Sequence, residues 1–236
     1  MIIAAAQFTA RPLDIGVNVA VMSELLAEAA ERGASLVVFP ELAVSGYELD
    51  AIVAGQDRLT LEPDDPRLLP LREACRAAGV TAVVNCAGRG PVIQSLVYGP
   101  DGELLTRYLK RCVTDTERAA GFTGGTEDGR FTVDGVRVGL LICYDAHFPE
   151  LTAAAVADNC SLVVASSLYG RGGGVEERAE LFPRLAKEHG MPVLLANHVG
   201  PAGSYVGCGL SAVWGVDGSV LAEAPGEAPG LALAEI

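Results

Sequence analysis

The chain has 236 residues, 50% of them hydrophobic and 20% charged, with 17 basic against 30 acidic side chains for a formal net charge of -13. That length suits one α/β domain with a full core, and the composition excludes extended disorder. The acidic balance argues against a nucleic-acid partner, which needs clustered Lys and Arg to meet phosphates.

Taken in chain order, Ile2–Phe8 (IIAAAQF) reads as a short apolar strand. After the turn region RPLDIG, Val17, Val21, Leu25 and Ala29 stand four apart, flanked by Met22 and Leu26, and mark a helix that stops at Gly33. Ser35–Phe39 is a second strand ended by Pro40, so the chain opens as a βαβ unit with a parallel pair. Arg67–Ala78 predict a helix with a Gly79 stop, and Val80–Ala87 the strand after it. VIQSLVYGPDGELLTRYLK predicts a hairpin around Gly99-Pro100-Asp101-Gly102. A turn at Val133–Val136 leads into the strand Val136–Ile142; Pro149 and Glu150 then start a helix that continues through Leu151–Asp158. SLVVASS, a helix near Val175–Glu188 and the strand Met191–Asn197 repeat the alternation, and CGLSAVWGVDGSVLAE closes as a hairpin on Val216-Asp217-Gly218-Ser219. The end of the chain, 223–236, predicts a loop or loosely held tail, rich in Ala, Pro and Gly from Glu223 to Gly230. The expectation is a single domain over 1–236, with mixed sheets covered by helices.

No apolar run approaches the roughly 20 residues that span a bilayer, and no charged leader with an apolar core precedes the body, so a cytosolic protein without a membrane partner is expected. The six cysteines, at 75, 86, 112, 143, 160 and 208, include no C-x-x-C pair. That weakens a zinc site or a disulfide framework and points to reduced thiols.

Three polar residues follow three predicted strands: Glu41 after SLVVFP, Lys110 after ELLTRYL and Cys143 after VRVGLLI. In open α/β sheets ligands bind outside the carboxyl ends of the strands, so these side chains are expected to meet in one crevice. Singly, each has an ordinary reading as a loop acid, a solvated strand end and a packed thiol. Thiolate is the nucleophilic form, and an isolated cysteine titrates near about pH 8.5, so attack on an amide at neutral pH needs a base. The three histidines, His147, His189 and His198, occur in no familiar Cys-His context. Glu41, beside Val38, Phe39 and Leu42, is the candidate base, because desolvation raises a carboxyl pKa toward neutrality. Lys110, protonated beside a carboxylate, and the backbone N–H of Tyr144 are the candidate oxyanion donors.

FPEL with Glu41, YLK with Lys110 and ICYDAHFPE with Cys143, in that order, resemble the nitrilase superfamily of carbon-nitrogen hydrolases. NHVG (Asn197–Gly200), GCGLSAV (Gly207–Val213) and DGSVLAE (Asp217–Glu223) are similar to that family's late strands, so the likeness runs from Met1 to about Ala222. The resemblance implies an α-β-β-α sandwich, a homodimer or higher homo-oligomer, and a Glu-Lys-Cys triad that uses no metal or organic cofactor. It implies cleavage of a small-molecule amide to a carboxylic acid and ammonia or amine through a thioester. Glu117, in TDTERAAGFTGG, matches by position a second glutamate that the family places near the triad.

The chain departs from the pattern in places. Arg111, Cys112 and Val113 follow the lysine where the family tends to place a histidine two residues on and then leucine, and Phe122-Thr123-Gly124-Gly125 replace a Phe-x-Pro-Gly turn. His147 stands where arginine is frequent, which weakens recognition of a carboxylate-bearing substrate such as an N-carbamoyl amino acid. Candidate substrate contacts are Glu117, Tyr47, Tyr144, His147 and Phe148, with Arg171 in YGRGGG read either as a solvated loop cation or as a contact for an anionic group; core packing is an equal reading for the aromatics. The other five cysteines read as packing residues. Three rivals stay open: a nitrilase or N-carbamoyl hydrolase with the same triad, a noncatalytic binding protein on this scaffold, and a Cys143–His147 hydrolase or metal site.

Overall fold

The computed structural model describes all 236 residues. The opening βαβ unit forms as the sequence predicts: β1 (Ile2–Gln7) runs parallel to β2 (Ala34–Val38) through the crossover helix α1 (Ile15–Glu31). Asp14 starts α1 by accepting a hydrogen bond from Val17 N at 3.2 Å. The buried face of α1 is Ile15, Asn18, Val19, Met22, Leu26 and Ala29, whereas Val17 of the expected apolar row is exposed. Asn18 explains the rotation. Its amide donates to Arg11 O at 2.9 Å and Val44 O at 3.0 Å, so a polar side chain is drawn into the core and the helix turns with it.

After the short helices α2 (Leu49–Ala54) and α3 (Gln56–Leu59), α4 (Leu69–Ala78) ends at Gly79, whose left-handed φ of 68° makes the stop. β3 (Thr81–Gly88) joins β2 in parallel, and β4 (Val92–Tyr98) and β5 (Leu104–Leu109) add the predicted hairpin. Beyond α5 (Asp115–Ala120), a second sheet is built from β6 (Arg130–Val133), β7 (Val136–Ile142), α6 (Pro149–Ala157), β8 (Leu162–Ser167), α7 (Gly173–His189) and β9 (Val193–Asn197). β7, β8 and β9 are parallel, as βαβ crossovers require. A separate two-stranded ribbon, β10 (Val199–Ala202) and β11 (Tyr205–Cys208), precedes β12 (Ala212–Trp214) and β13 (Val220–Glu223), the closing hairpin.

The end of the chain differs from the expected loose tail. Gly230–Glu235 form β14, antiparallel to β1 from Ile2↔Glu235 to Gln7↔Gly230. The cause is a period-two pattern: Ala232 and Ala234 are buried, while Leu231 and Leu233 lie half-buried on the other face. The result is two six-stranded mixed sheets, ordered β14-β1-β2-β3-β4-β5 and β13-β12-β9-β8-β7-β6. They pack face to face, β1 on β9, β2 on β8 and β4 on β7, with α1 and α4 outside the first and α6 and α7 outside the second. This is the expected α-β-β-α sandwich. No helix is long and apolar enough to cross a membrane.

Candidate active site

Cys143 occupies the bend that its flanks predicted. The buried strand β7 ends at Ile142, Cys143 takes a left-handed φ of 47°, and a single 3-10 turn, Cys143–His147, leads to Pro149 at the head of α6. A β-turn-helix elbow with a strained first residue pushes that side chain out of the sheet. Asp145 pays for the strain. Fully buried, it accepts from Ile142 N at 3.0 Å, Arg111 N at 3.1 Å, Cys112 N at 2.8 Å and the Tyr108 hydroxyl at 2.8 Å. One carboxylate thus ties the elbow to the backbone just after Lys110.

Glu41 and Lys110 come from the first sheet, and both are fully buried. Glu41 lies beyond the end of β2, followed by Leu42 at a left-handed φ of 49°, which is held by donation of its N–H to Asn85 Oδ1 at 2.6 Å. Lys110 follows β5 and donates from Nζ to Glu41 Oε1 at 2.7 Å and to Glu117 Oε1 at 2.5 Å. Glu117 is therefore not a pocket wall. It sits in the first turn of α5 in a capping box: Oε2 accepts from Thr114 N at 2.8 Å while Thr114 Oγ1 accepts from Glu117 N at 3.2 Å. Its Oε1 also accepts from the Tyr47 hydroxyl at 2.6 Å, so Tyr47 orients Glu117, which orients Lys110.

Burial and the neighbouring charges together set how the cluster titrates. Burial pushes Glu41 up to about 7, against the opposing pull of Lys110. Burial disfavours the Lys110 ammonium, but Glu41, Cys143 and Glu117 outweigh it and hold its pKa above the ordinary lysine value. Burial and then the Glu41 charge push the Cys143 thiol well up, so the resting group is the thiol. Glu41 keeps one oxygen uncommitted, since Oε2 is buried without a hydrogen-bond partner. An ammonium has three N–H groups, and two of those on Lys110 are taken.

Cys143 opens into a cavity of about 340 Å³, walled by Tyr47, Tyr144, His147, Tyr169 and Arg171 among others. Phe148 is not part of that wall; it stands edge-on behind Tyr144, ring centroids 5.2 Å apart, and faces a neighbouring groove with Cys112. The cause is the 3-10 turn, which sends successive side chains in different directions. Cys112 is accordingly half-exposed, whereas the other four cysteines expected to pack are buried. His147 Nε2 lies 3.2 Å from the Tyr169 hydroxyl and 3.5 Å from Glu177 Oε1, and burial lowers its pKa. Arg171 Nη2 lies 3.4 Å from Glu227 Oε1 at the exposed mouth. No group of three or more His, Cys, Asp or Glu side chains is arranged to hold a metal ion.

Asp145, Tyr169, Asn85 and Asn197 were not anticipated. Asn197 braces the Tyr169 wall, accepting from Tyr169 N at 2.7 Å and donating to Gly209 O at 2.8 Å. Only Asp145 left a local sign, as a short acid two residues after a strand-ending cysteine, where side chains bond back to free N–H groups.

A family model described as Carbon-nitrogen hydrolase matches residues 2–236. A hydrolase of Mycobacterium tuberculosis is 31% identical over 230 residues, spanning 91% of this chain and 79% of the relative. The deaminated glutathione amidase of Escherichia coli O157:H7 is 28% identical over 179 residues, 73% of this chain and 67% of that protein. Among solved structures, an amidase of the nitrilase superfamily from Nesterenkonia superposes with a TM-score of 0.91 at 32% identity, covering 100% of this chain and 91% of that one. A mutant of that amidase has been solved with the acetamide moiety of fluoroacetamide added covalently at the active-site cysteine.

Proposed function

The chain belongs to the carbon-nitrogen hydrolase family of the nitrilase superfamily, and from that premise we propose that it hydrolyses a small aliphatic amide to a carboxylic acid and ammonia through a thioester on Cys143. The observation that carries the reading is the buried Glu41–Lys110–Glu117 cluster acting on the thiol of a strained elbow. The free Oε2 of Glu41 takes the thiol proton, and the sulfur attacks the amide carbon. The third N–H of Lys110 and the backbone N–H of Tyr144 receive the oxyanion. Collapse of the tetrahedral centre breaks the C–N bond, and Glu41 returns the proton to the leaving nitrogen. A water then gives its proton to Glu41, attacks the thioester carbon and releases the acid and Cys143.

A cavity of about 340 Å³, at the small end of the range for ligand sites and walled by four tyrosines and His147 among Thr114, Thr116, Arg171 and Glu177, supports a short acyl group. The acetamide moiety carried by the cysteine of the mutant Nesterenkonia amidase supports the same size class. The test is a panel of amides, nitriles and N-carbamoyl compounds, read by ammonia release with wild type and Cys143→Ala, together with intact mass after exposure to fluoroacetamide. Expected are turnover of short amides and a single adduct on wild type, both lost in Cys143→Ala. Turnover that survives Cys143→Ala, or a panel in which nitriles outpace every amide, rejects the proposal.

A further inference from the structure

Three hydrogen bonds to residues outside the loop reach the Glu41 and Leu42 backbone itself, while Phe39 N to Val83 O at 3.0 Å and Val44 N to Asn85 O at 3.3 Å tie its flanks. Glu41 N reaches Ser167 O at a long 3.5 Å, and Leu42 N donates to Asn85 Oδ1 at 2.6 Å. The third tie is the ring of His198, 157 residues further on, whose Nε2 meets the carbonyl oxygen of Glu41 itself. A carbonyl only accepts, so Nε2 carries the hydrogen and Nδ1 the lone pair. His198 is fully buried, and its Nδ1 is buried without a partner. Burial lowers its pKa to about 4, with the Glu41 carbonyl pulling weakly the other way, so the ring is neutral in ordinary buffers. An unpaired buried polar atom costs stability that an apolar side chain of this size does not. His198 is thus a poor choice for packing and contributes through one hydrogen bond.

That bond crosses the sandwich. His198 joins β9 to β10, and its own carbonyl is fixed by Gly209 N at 2.8 Å, beside the braced amide of Asn197. β9 is the parallel neighbour of β8, which neighbours the cysteine-bearing β7. Glu41 belongs to the other sheet. Taking Glu41 as the base, as the proposed function does, we infer that His198 is a positioning residue: its Nε2–H fastens the base-bearing loop to the sheet that carries the nucleophile and thereby sets the line from the Glu41 carboxyl to Cys143 Sγ. Lys110 acts on the carboxylate, whereas His198 acts on the peptide that carries it. The charged or titratable groups facing that carboxylate are Lys110, Glu117, Cys143, Tyr47 and Tyr169.

Three variants test this. In His198→Gln the amide nitrogen stands as many bonds from Cα as Nε2 and keeps the donor; His198→Asn is too short to reach, and His198→Met has no donor. A misplaced catalytic group costs about a hundredfold per ångström. Expected are a ten- to hundredfold fall in kcat for Met and Asn with KM little changed, and recovery to within about threefold for Gln. A loosened loop also hydrates the carboxyl, so the acid limb of kcat/KM moves below about 7 in Met and Asn and returns in Gln. Three variants that differ only in melting temperature, with kcat and the acid limb at wild-type values, overturn the inference. So does failure of His198→Gln to fold, because restoring a positioning bond must restore the fold. If His198→Met alone fails to fold, Gln against Asn decides. Glu41→Gln keeps the two readings apart: turnover surviving it rejects Glu41 as the base, whereas turnover lost there beside a flat His198 series rejects only the role of His198.

Discussion

Two buried carboxylates stand close to the cysteine elbow, and their surroundings are opposite. Asp145 accepts four hydrogen bonds from neutral donors, two on each oxygen, and has no ion pair. Glu41 has one cation on one oxygen and nothing on the other. Burial raises both pKa values; for Asp145 the bonds from Cys112, Tyr108 and Ile142 oppose it, while Glu41 is left near about 7. A saturated carboxylate is a fastening, and an unsaturated one beside a thiol is able to exchange a proton. If that distinction is right, neutralising the two must damage different properties.

The largest effect is expected for Glu41→Gln, which keeps shape and removes the base: kcat falls about 10⁴-fold, measured by ammonia release. Its folded state does not suffer, because the carboxylate was held against the preference of its buried site. The sign is definite. A pKa raised from 4.5 to about 7 on folding contributes stability that is complete below about pH 4.5 and lost as pH rises through about 7. The melting temperature of Glu41→Gln therefore gains on wild type as pH rises from 4.5 to 7. In wild type kcat/KM climbs about tenfold per pH unit below 7 and levels above it, since the base must be unprotonated. A profile flat from pH 5 to 8 defeats the assignment.

Next is Lys110→Met. It removes an oxyanion donor, for about a 10³-fold loss of kcat, and leaves Glu41 facing Glu117 without the cation between them. Breaking a buried ion cluster from one side costs about 3–5 kcal/mol, so here, unlike in Glu41→Gln, thermal unfolding is also expected to fall sharply. Asp145→Asn should be the inverse of Glu41→Gln. The amide can replace one accepting oxygen and turns a donor toward the other pair, leaving two buried donors unpaired at about 1–3 kcal/mol each. At roughly 2–4 °C per kcal/mol the melting temperature drops by several degrees or more, while kcat falls only about tenfold and the acid limb stays in place.

This contrast also separates what the sequence displays from what it hides. Glu41, Lys110 and Cys143 were legible because each stands where an apolar run stops; they meet because two mixed sheets pack face to face, β2 and β5 supplying the first two and β7 the third, and not at the end of one parallel sheet. The cysteine bend was legible in detail, since Pro149 and Glu150 fix where the helix begins. Residues that act through others were not. Glu117 was placed near the triad by resemblance, yet its tie to Tyr47 crosses 70 residues, and the bond of His198 to Glu41 crosses 157. Nothing local distinguishes these side chains from ordinary polar residues until the two sheets close. Phe148 and the face of α1 failed for a related reason. Hydrophobic spacing gives a period but not its phase, and one buried amide, Asn18, or one 3-10 turn resets that phase. The strand β14 was obscured by the Pro- and Gly-rich approach to it.

The smallest expected effect belongs to His147→Gln, and it decides against a rival. A Cys143–His147 pairing makes that histidine the base, so its loss should be as damaging as loss of Cys143. The ring instead sits with its Nε2 3.2 Å from the neutral Tyr169 hydroxyl and 3.5 Å from Glu177 Oε1, and burial lowers its pKa so that it is a weak ion-pair partner for Glu177. Its place is on the cavity wall, stacked at a tilt 5.3 Å from Tyr144. Gln keeps a polar group there and loses one ring contact and one neutral hydrogen bond, about 1 kcal/mol. The outcome expected is a change of about fivefold, in KM and in the ranking of acyl chain lengths, with the acid limb still set by Glu41. A collapse of kcat in His147→Gln matching that of Cys143→Ala would move the base from the first sheet to the elbow itself, and the contrast between Glu41 and Asp145 would lose its meaning.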